Sequence, residues 1–314
     1  MGSGAEPLTT GSSFRPVVAL ERGGRSVSPA ALVRELDRTV ADVVAAVDAV
    51  VARPHPTAGG LHRLHRELRR LRTALGVWES TLARRERERL RPFDRRLKRL
   101  ARLAGRIRDR DVTIDLLAHV DGRAWGSEEL AQLGQFRTRL RDDARTGREL
   151  LRAFLRAEEA AGLFPAIRAE WHRPRLRYRA RDVRAILGDV QGSGEERVRR
   201  AHRAARRKPS VTRLHRLRIR VRGLRHVNEL RGALDPGDAR PLSAPIRRLQ
   251  TDLGRLHDLD VTLAGLGPDV TETSWARSLR DERRRLRAEL IFLLEKKPGP
   301  LWAVRRSRSE GRRT

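Results

Sequence analysis

Cysteine is absent from the 314-residue chain, so disulfides, thiolate catalysis and cysteine-ligated metals are excluded, while the redox compartment is left open. Aromatic residues make up only 4%, few for a protein that would stack the bases of single-stranded nucleic acid. No apolar run approaches the roughly 18 residues of a membrane span. The opening stretch MGSGAEPLTTGSSFRPVVAL lacks the basic region and apolar run of a secretory signal, and Glu6 breaks a myristoylation pattern. The expectation is a soluble, cytoplasmic protein with no membrane partner. Alternating apolar patterning of useful length is missing as well, which points to an all-α fold. Lysine is scarce: Lys98, Lys208, Lys296 and Lys297 are the only four among 70 basic residues.

What is present is charge. Seventy Lys and Arg face 40 Asp and Glu, a formal net charge of +30. Such an excess repels itself unless an anion or a solvated face absorbs it, so an acidic partner is expected. The guanidinium fork of arginine suits phosphate oxygens. With 39% hydrophobic residues the chain has enough apolar surface for a core.

Residues 1–27 read as a disordered leader, rich in Gly, Ser and Thr. Ser28 and Pro29 are the N-cap and first residue of a helix whose apolar positions run from Leu32 to Val50, ending before Pro54. Further helices are expected from about Gly60 to Leu82, from near Pro92 to at least Ile107, and from Ser127 to about Ala161. The decisive feature is an internal repeat. His62-Arg63-Leu64-His65 and the following residues to Arg72 align with His215-Arg216-Leu217-Arg218 onward to Arg225. Farther along, Gly105 to Thr113 aligns with Gly254 to Thr262. The chain therefore reads as two tandem four-helix bundles, residues 28–164 and 165–296, with a basic tail over 297–314; Pro165 and Pro174 mark the junction.

Helical-wheel placement separates the repeated segment into two faces. Leu61, Leu64, Leu68, Leu71 and Leu75 form the apolar face, and His62, His65, Arg66, Arg69 and Arg72 a cationic stripe. In the second copy Leu214, Leu217, Val221 and Leu224 are apolar, while His215, Arg218, Arg222, Arg225 and His226 line the stripe. The next helix of the first repeat adds Arg91, Arg95, Lys98, Arg102 and Arg106; its counterpart offers only Arg248 and Arg255, with Asp252 between them. Stacked like charges cost a few tenths of a kcal/mol per pair in an isolated helix. A stripe kept at the same places in both copies reads as the lining of a site for an extended polyanion. Trp78 falls on the apolar side of its helix and is expected in the core.

The run His62-x-x-His65-x-x-x-Arg69-Arg70-x-Arg72, its echo His215-x-x-Arg218-x-x-x-Arg222-x-x-Arg225, and the endings Arg108-Asp109-x-Asp111-Val112 and His257-Asp258-x-Asp260-Val261 resemble the CHAD domain, the conserved histidine α-helical domain, over about residues 28 to 296. The resemblance implies paired four-helix bundles related by a pseudo-two-fold axis, with a basic cavity that binds inorganic polyphosphate without hydrolysing it, on polyphosphate granules in many members. It carries the family's histidines to His62 and His215, and its basic residues to Arg69, Arg72, Arg218, Arg222 and Arg225. Two departures stand out: His65 lies where the family usually has Arg, and Gly223 lies opposite Arg70. No cofactor is implied. An enzyme acting on phosphorylated substrates and a general nucleic-acid-binding protein are the alternatives, the former without a phosphatase or Walker signature.

Asp109, Asp111, Asp258 and Asp260 offer too few ligands for a metal, and no metal site is expected. They either neutralise arginines of neighbouring helices or cap a helix beginning near Val112. Histidines near pKa 6.5 beside a polyanion predict binding that strengthens as pH falls toward 6.

Overall fold

The computed structural model describes residues 27–119, 125–173, 183–238, 242–267 and 270–296. Among them there is no strand, and the chain is all-helical. The leader and the tail expected at the two ends lie outside the described residues, Val27 apart.

The first helix, α1 (Pro29–Val51), begins as its sequence dictates, with the Ser28 side chain accepting the Ala31 N–H and Pro29 pre-setting the first turn. α2 (Ala58–Thr81) is capped by Thr57, whose hydroxyl accepts the Gly60 N–H at 3.1 Å. α7 (Val211–Leu234) is capped by Ser210 at the matching position of the second repeat, so the internal duplication extends to the residues that start its helices.

α3 (Arg84–Ala118) departs from the expectation. It starts before Pro92 and runs on through Val112, so no helix begins there. Pro92 withholds only the bond to the Glu88 carbonyl, on an exposed turn. Leu90 anchors that turn in the core, and Glu86, bonded by Arg173 at 3.3 Å, suits the positive end of the helix. α4 (Ser127–Ala160) follows the amphipathic stretch. Gly162, at φ 63°, supplies the left-handed turn into α5 (Leu163–Trp171). α6 (Val183–Arg207), α8 (Ala244–Ala264) and α9 (Ser274–Glu295) complete the chain, with a short 3₁₀ turn at Pro236–Asp238.

Two hydrophobic clusters form. One gathers Leu36, Val43, Leu64, Leu68, Leu71, Trp78 and Leu100 with Leu151 and Leu155. Trp78 is buried, edge-on to Trp171 with ring centroids 5.7 Å apart. The other gathers Leu217, Val221, Leu249, Leu253, Trp275 and Leu290. The clusters exchange elements. Leu117, Leu133 and Phe136, from the ends of α3 and α4, enter the second, while Val183, Leu187 and Leu230 enter the first. Phe136 stacks on Trp275 at 5.7 Å, and Glu129 accepts the Ser274 N–H at 2.7 Å at the start of α9.

Equivalent helices meet each other, α2 against α7 and α3 against α8. Thr113 and Thr262, separated by the repeat offset of 149 residues, share a hydroxyl hydrogen bond of 3.1 Å. This crossing sets the two cationic stripes side by side.

Candidate functional site

α7 explains how a cationic cluster is held between helices. Leu214, Leu217, Val221 and Leu224 anchor one side in the second core and Leu230 another in the first, so the remaining side, with Arg218, Arg222 and Arg225, is pressed toward α2. Arg218 is buried at 8% exposure; His65, Arg69, Arg72, His215, Arg222 and Arg225 are half-buried, and His62 is exposed. The helices thus strip water from the guanidinium groups without closing them off.

Arg69 and Arg222, equivalent in the repeat, form the centre. Burial, then the guanidinium groups of Arg218, Arg72, Arg225 and Arg108, push Arg69 down to about 10. Burial and the charges of Arg69, Arg218, Arg108 and Arg225 push Arg222 down to about 9. Both stay cationic at neutral pH. Neither has an acidic partner among the described residues, and the buried Arg222 Nε has no hydrogen-bond partner there. Cations gathered out of water with no carboxylate between them raise the energy of the free protein, and an anion placed among them would lower it.

The surrounding cations are compensated. Arg72 Nε donates to Asp94 at 3.0 Å and Arg225 pairs with Glu229 at 3.2 Å. Arg108 Nη1 donates to Asp109 at 3.1 Å and lies 3.5 Å from Asp258. Burial lowers the pKa of Arg218, against which the charges of Asp258 and Asp109 act.

Four imidazoles border the cluster. His215 and His257 meet through their Nδ1 atoms at 3.2 Å, so one of the two carries the shared proton. Burial, then Arg218, His215, Arg222 and Arg108, push His257 down to about 3. Burial, then Arg69, Arg222 and Arg108, do the same for His65, also to about 3. His65 lies over the Gly105 face of α3, where an added methyl would stand 3.6 Å from its Nε2. Burial and neighbouring arginines also lower His62 and His215.

The free protein therefore holds neutral imidazoles, and the pH response expected from unperturbed histidines moves to lower pH. A polyanion placed there would screen the arginines and raise the histidine pKa values, so its binding would take up protons between the free and bound values and strengthen as pH falls through the bound ones. Calorimetry in two buffers of different ionisation enthalpy is expected to find proton uptake that grows from pH 7 to pH 5. Zero uptake across that range would remove the histidines from the site.

The structure brings together His62, His65, Arg69, Arg72, His215, Arg218, Arg222 and Arg225, and adds two residues that the helical wheels missed, Arg108 and His257. The repeat itself equates these two, Arg108 being the counterpart of His257. Other candidates lie elsewhere. Arg66 pairs with Glu67 at 2.9 Å, Arg248 with Asp252 at 3.8 Å, and Arg255 with Glu282 at 3.1 Å. His226 is the exception: it is buried beside the cluster with its Nδ1 3.1 Å from Glu229, and burial, then the charges of Arg225 and Arg69, lower its pKa against the pull of Glu229. Arg91, Arg95, Lys98, Arg102 and Arg106 lie exposed along α3, and the charges that act most strongly on Arg69 and Arg222 are not theirs. A cavity of about 530 Å³ beside the cluster, lined by Leu116, Arg255, Leu279 and Glu282 among others, reaches it only through Asp258.

The aspartates after each stripe act as counter-ions. Asp111 pairs with Arg148 of α4, and Asp260 accepts from Arg283 of α9 at 2.5 Å. No group of three or more metal-ligating side chains occurs among the described residues, and no described helix is long and apolar enough to cross a membrane.

The family model of the CHAD domain matches residues 34–266. Among solved structures, the crystal structure of the CHAD domain from the plant Ricinus communis superposes with a TM-score of 0.62 at 19% identity, over 93% of this chain and 98% of that one. PptA from Streptomyces chartreusis superposes with a TM-score of 0.58 at 16% identity, over 86% and 98%. At these identities the likeness is one of fold. No curated protein matches the sequence.

Proposed function

This chain belongs to the CHAD domain family, a family associated with inorganic polyphosphate, and on that premise we propose that it binds long-chain polyphosphate, without hydrolysing it, in the cationic seat between α2 and α7. One observation carries the reading: Arg69 and Arg222, the same position in each repeat, converge half-buried with no acidic partner among the described residues. A linear phosphate polymer offers closely spaced charge and no base to read, and the seat offers guanidinium and imidazole groups, with none of its guanidinium groups over a Phe, Tyr or Trp ring among the described residues. The enzyme alternative needs a nucleophile or base aimed at a reacting phosphate, and the neutral imidazoles have the simpler role of taking up a proton beside the bound chain. Polyphosphate granules are the cellular setting that follows.

Three measurements test this. The logarithm of the association constant is expected to fall linearly with the logarithm of salt concentration, with a slope on the order of −4 if about six phosphates are neutralised. Orthophosphate is expected to bind far more weakly. Incubation with polyphosphate and magnesium is expected to release no phosphate; steady release would replace binding with hydrolysis.

A further inference from the structure

We propose that Asp109 and Asp258 form a counter-ion latch that excludes short phosphates from the seat, an inference that rests on the seat being a polyphosphate site. The cations fall into two classes. Arg69 and Arg222 have no acidic partner among the described residues, whereas Arg108 is held by Asp109 at 3.1 Å and approached by Asp258 at 3.5 Å. Both carboxylates also act on Arg218. Asp109 and Asp258 are equivalent in the repeat, but their preceding residues are not: Arg108 in one copy is His257 in the other. Two carboxylates therefore converge on one guanidinium instead of each holding its own. The Asp258 side chain is only 19% exposed, so water and salt screen its hold weakly.

A ligand consequently meets two free guanidinium groups first and gains Arg108 and Arg218 only by displacing the carboxylates. A triphosphate that occupies Arg69 and Arg222 has one phosphate left with which to displace two carboxylates. A long chain supplies further phosphates from the same molecule, at high effective concentration, so each displacement follows without a new binding event. The latch thereby converts chain length into affinity.

The test compares triphosphate with long-chain polyphosphate on the full chain. In Asp109→Asn/Asp258→Asn, triphosphate affinity is expected to rise about tenfold, the worth of one charge-assisted contact regained, and long-chain affinity less, so their ratio narrows. Asp109→Asn alone, at the more exposed of the two carboxylates, is expected to move the ratio the same way by a smaller factor, with an unchanged circular dichroism spectrum, and keeps the test decisive should the double variant misfold. Asp94→Asn frees Arg72 at an exposed pair and is expected to leave the ratio within about twofold. The latch is overturned if the ratio is unchanged in both Asp109 variants, or if Asp94→Asn narrows it equally. A wild-type protein that fails to bind long-chain polyphosphate is a different failure, and removes the seat itself.

Discussion

Replacing Arg69 and Arg222 together by Gln is expected to weaken long-chain polyphosphate binding by about a hundredfold or more. Each guanidinium makes charge-assisted contacts worth about 1.5–3 kcal/mol, and each 1.4 kcal/mol is a factor of ten. The companion expectation separates this from damage to the fold. Burial and neighbouring arginines hold both pKa values below the ordinary one, so the folded protein disfavours these charges relative to the unfolded chain. Below those lowered values the two cations therefore destabilise the free protein. The Gln variant should melt at the same temperature as the wild type or higher while it loses its ligand. Gln at Arg84 and Arg85, exposed at the start of α3, lowers charge equally and is expected to weaken binding only a few-fold. Equal losses in the two double variants would make the seat no more than part of a diffuse positive surface.

The second large effect is structural. Asp111, 8% exposed, pairs with Arg148 across α3 and α4. Asp111→Ala leaves Arg148 with its charge largely out of water and is expected to cost about 3 kcal/mol in denaturant unfolding. Burial raises the Asp111 pKa, against the opposing charge of Arg148, so the pair as a whole is a weak stabiliser. Replacing both partners by apolar residues of similar volume, Asp111→Leu with Arg148→Met, is accordingly expected to recover most of the loss. Polyphosphate affinity should stay within a few-fold in both variants. A helix-cap role for Asp111 predicts the opposite pattern, in which the double substitution recovers nothing.

The amino-acid pattern made much of this visible, and its limits have physical causes. Apolar period placed α1, α2 and α4 closely, with Ser28 marking the start of α1, because a cap and the Leu repeats act within a turn or two of themselves; the cap of α2, Thr57, was not read from the sequence. The duplication pointed to Arg69 and Arg222. A helical wheel, however, describes one helix in isolation. It sorts Arg91, Arg95 and Lys98 with Arg69 because all lie on polar faces, and cannot tell a face turned to solvent from one turned to a second helix. Arg108 and His257 escaped for the converse reason: they join the seat only where α3 and α8 cross against α2 and α7. The exchange of Leu117, Leu133 and Phe136 into the second core likewise depends on how far α3 and α4 extend. The start of α3 was obscured by Pro92, a residue that normally marks a first turn but here lies inside a helix anchored by Leu90.

Duplication also accounts for why the seat exists at all. A single stripe of arginines on one helix tolerates its repulsion by facing water. Two copies of the stripe brought together by the repeat-related helices cannot both do so, and on the proposed function the strain of gathering them is what an arriving anion would turn into affinity. The carboxylates that remain, Asp94, Asp109, Glu229 and Asp258, limit that strain at the edges and leave the centre open.

The measurement that tests this account most directly is a crystal structure of the protein with a polyphosphate chain bound. Phosphate oxygens are expected within hydrogen-bond distance of both Arg69 and Arg222, with the chain passing between α2 and α7 toward Arg108. A chain lying only along the exposed arginines of α3, with Arg69 and Arg222 untouched, would contradict it.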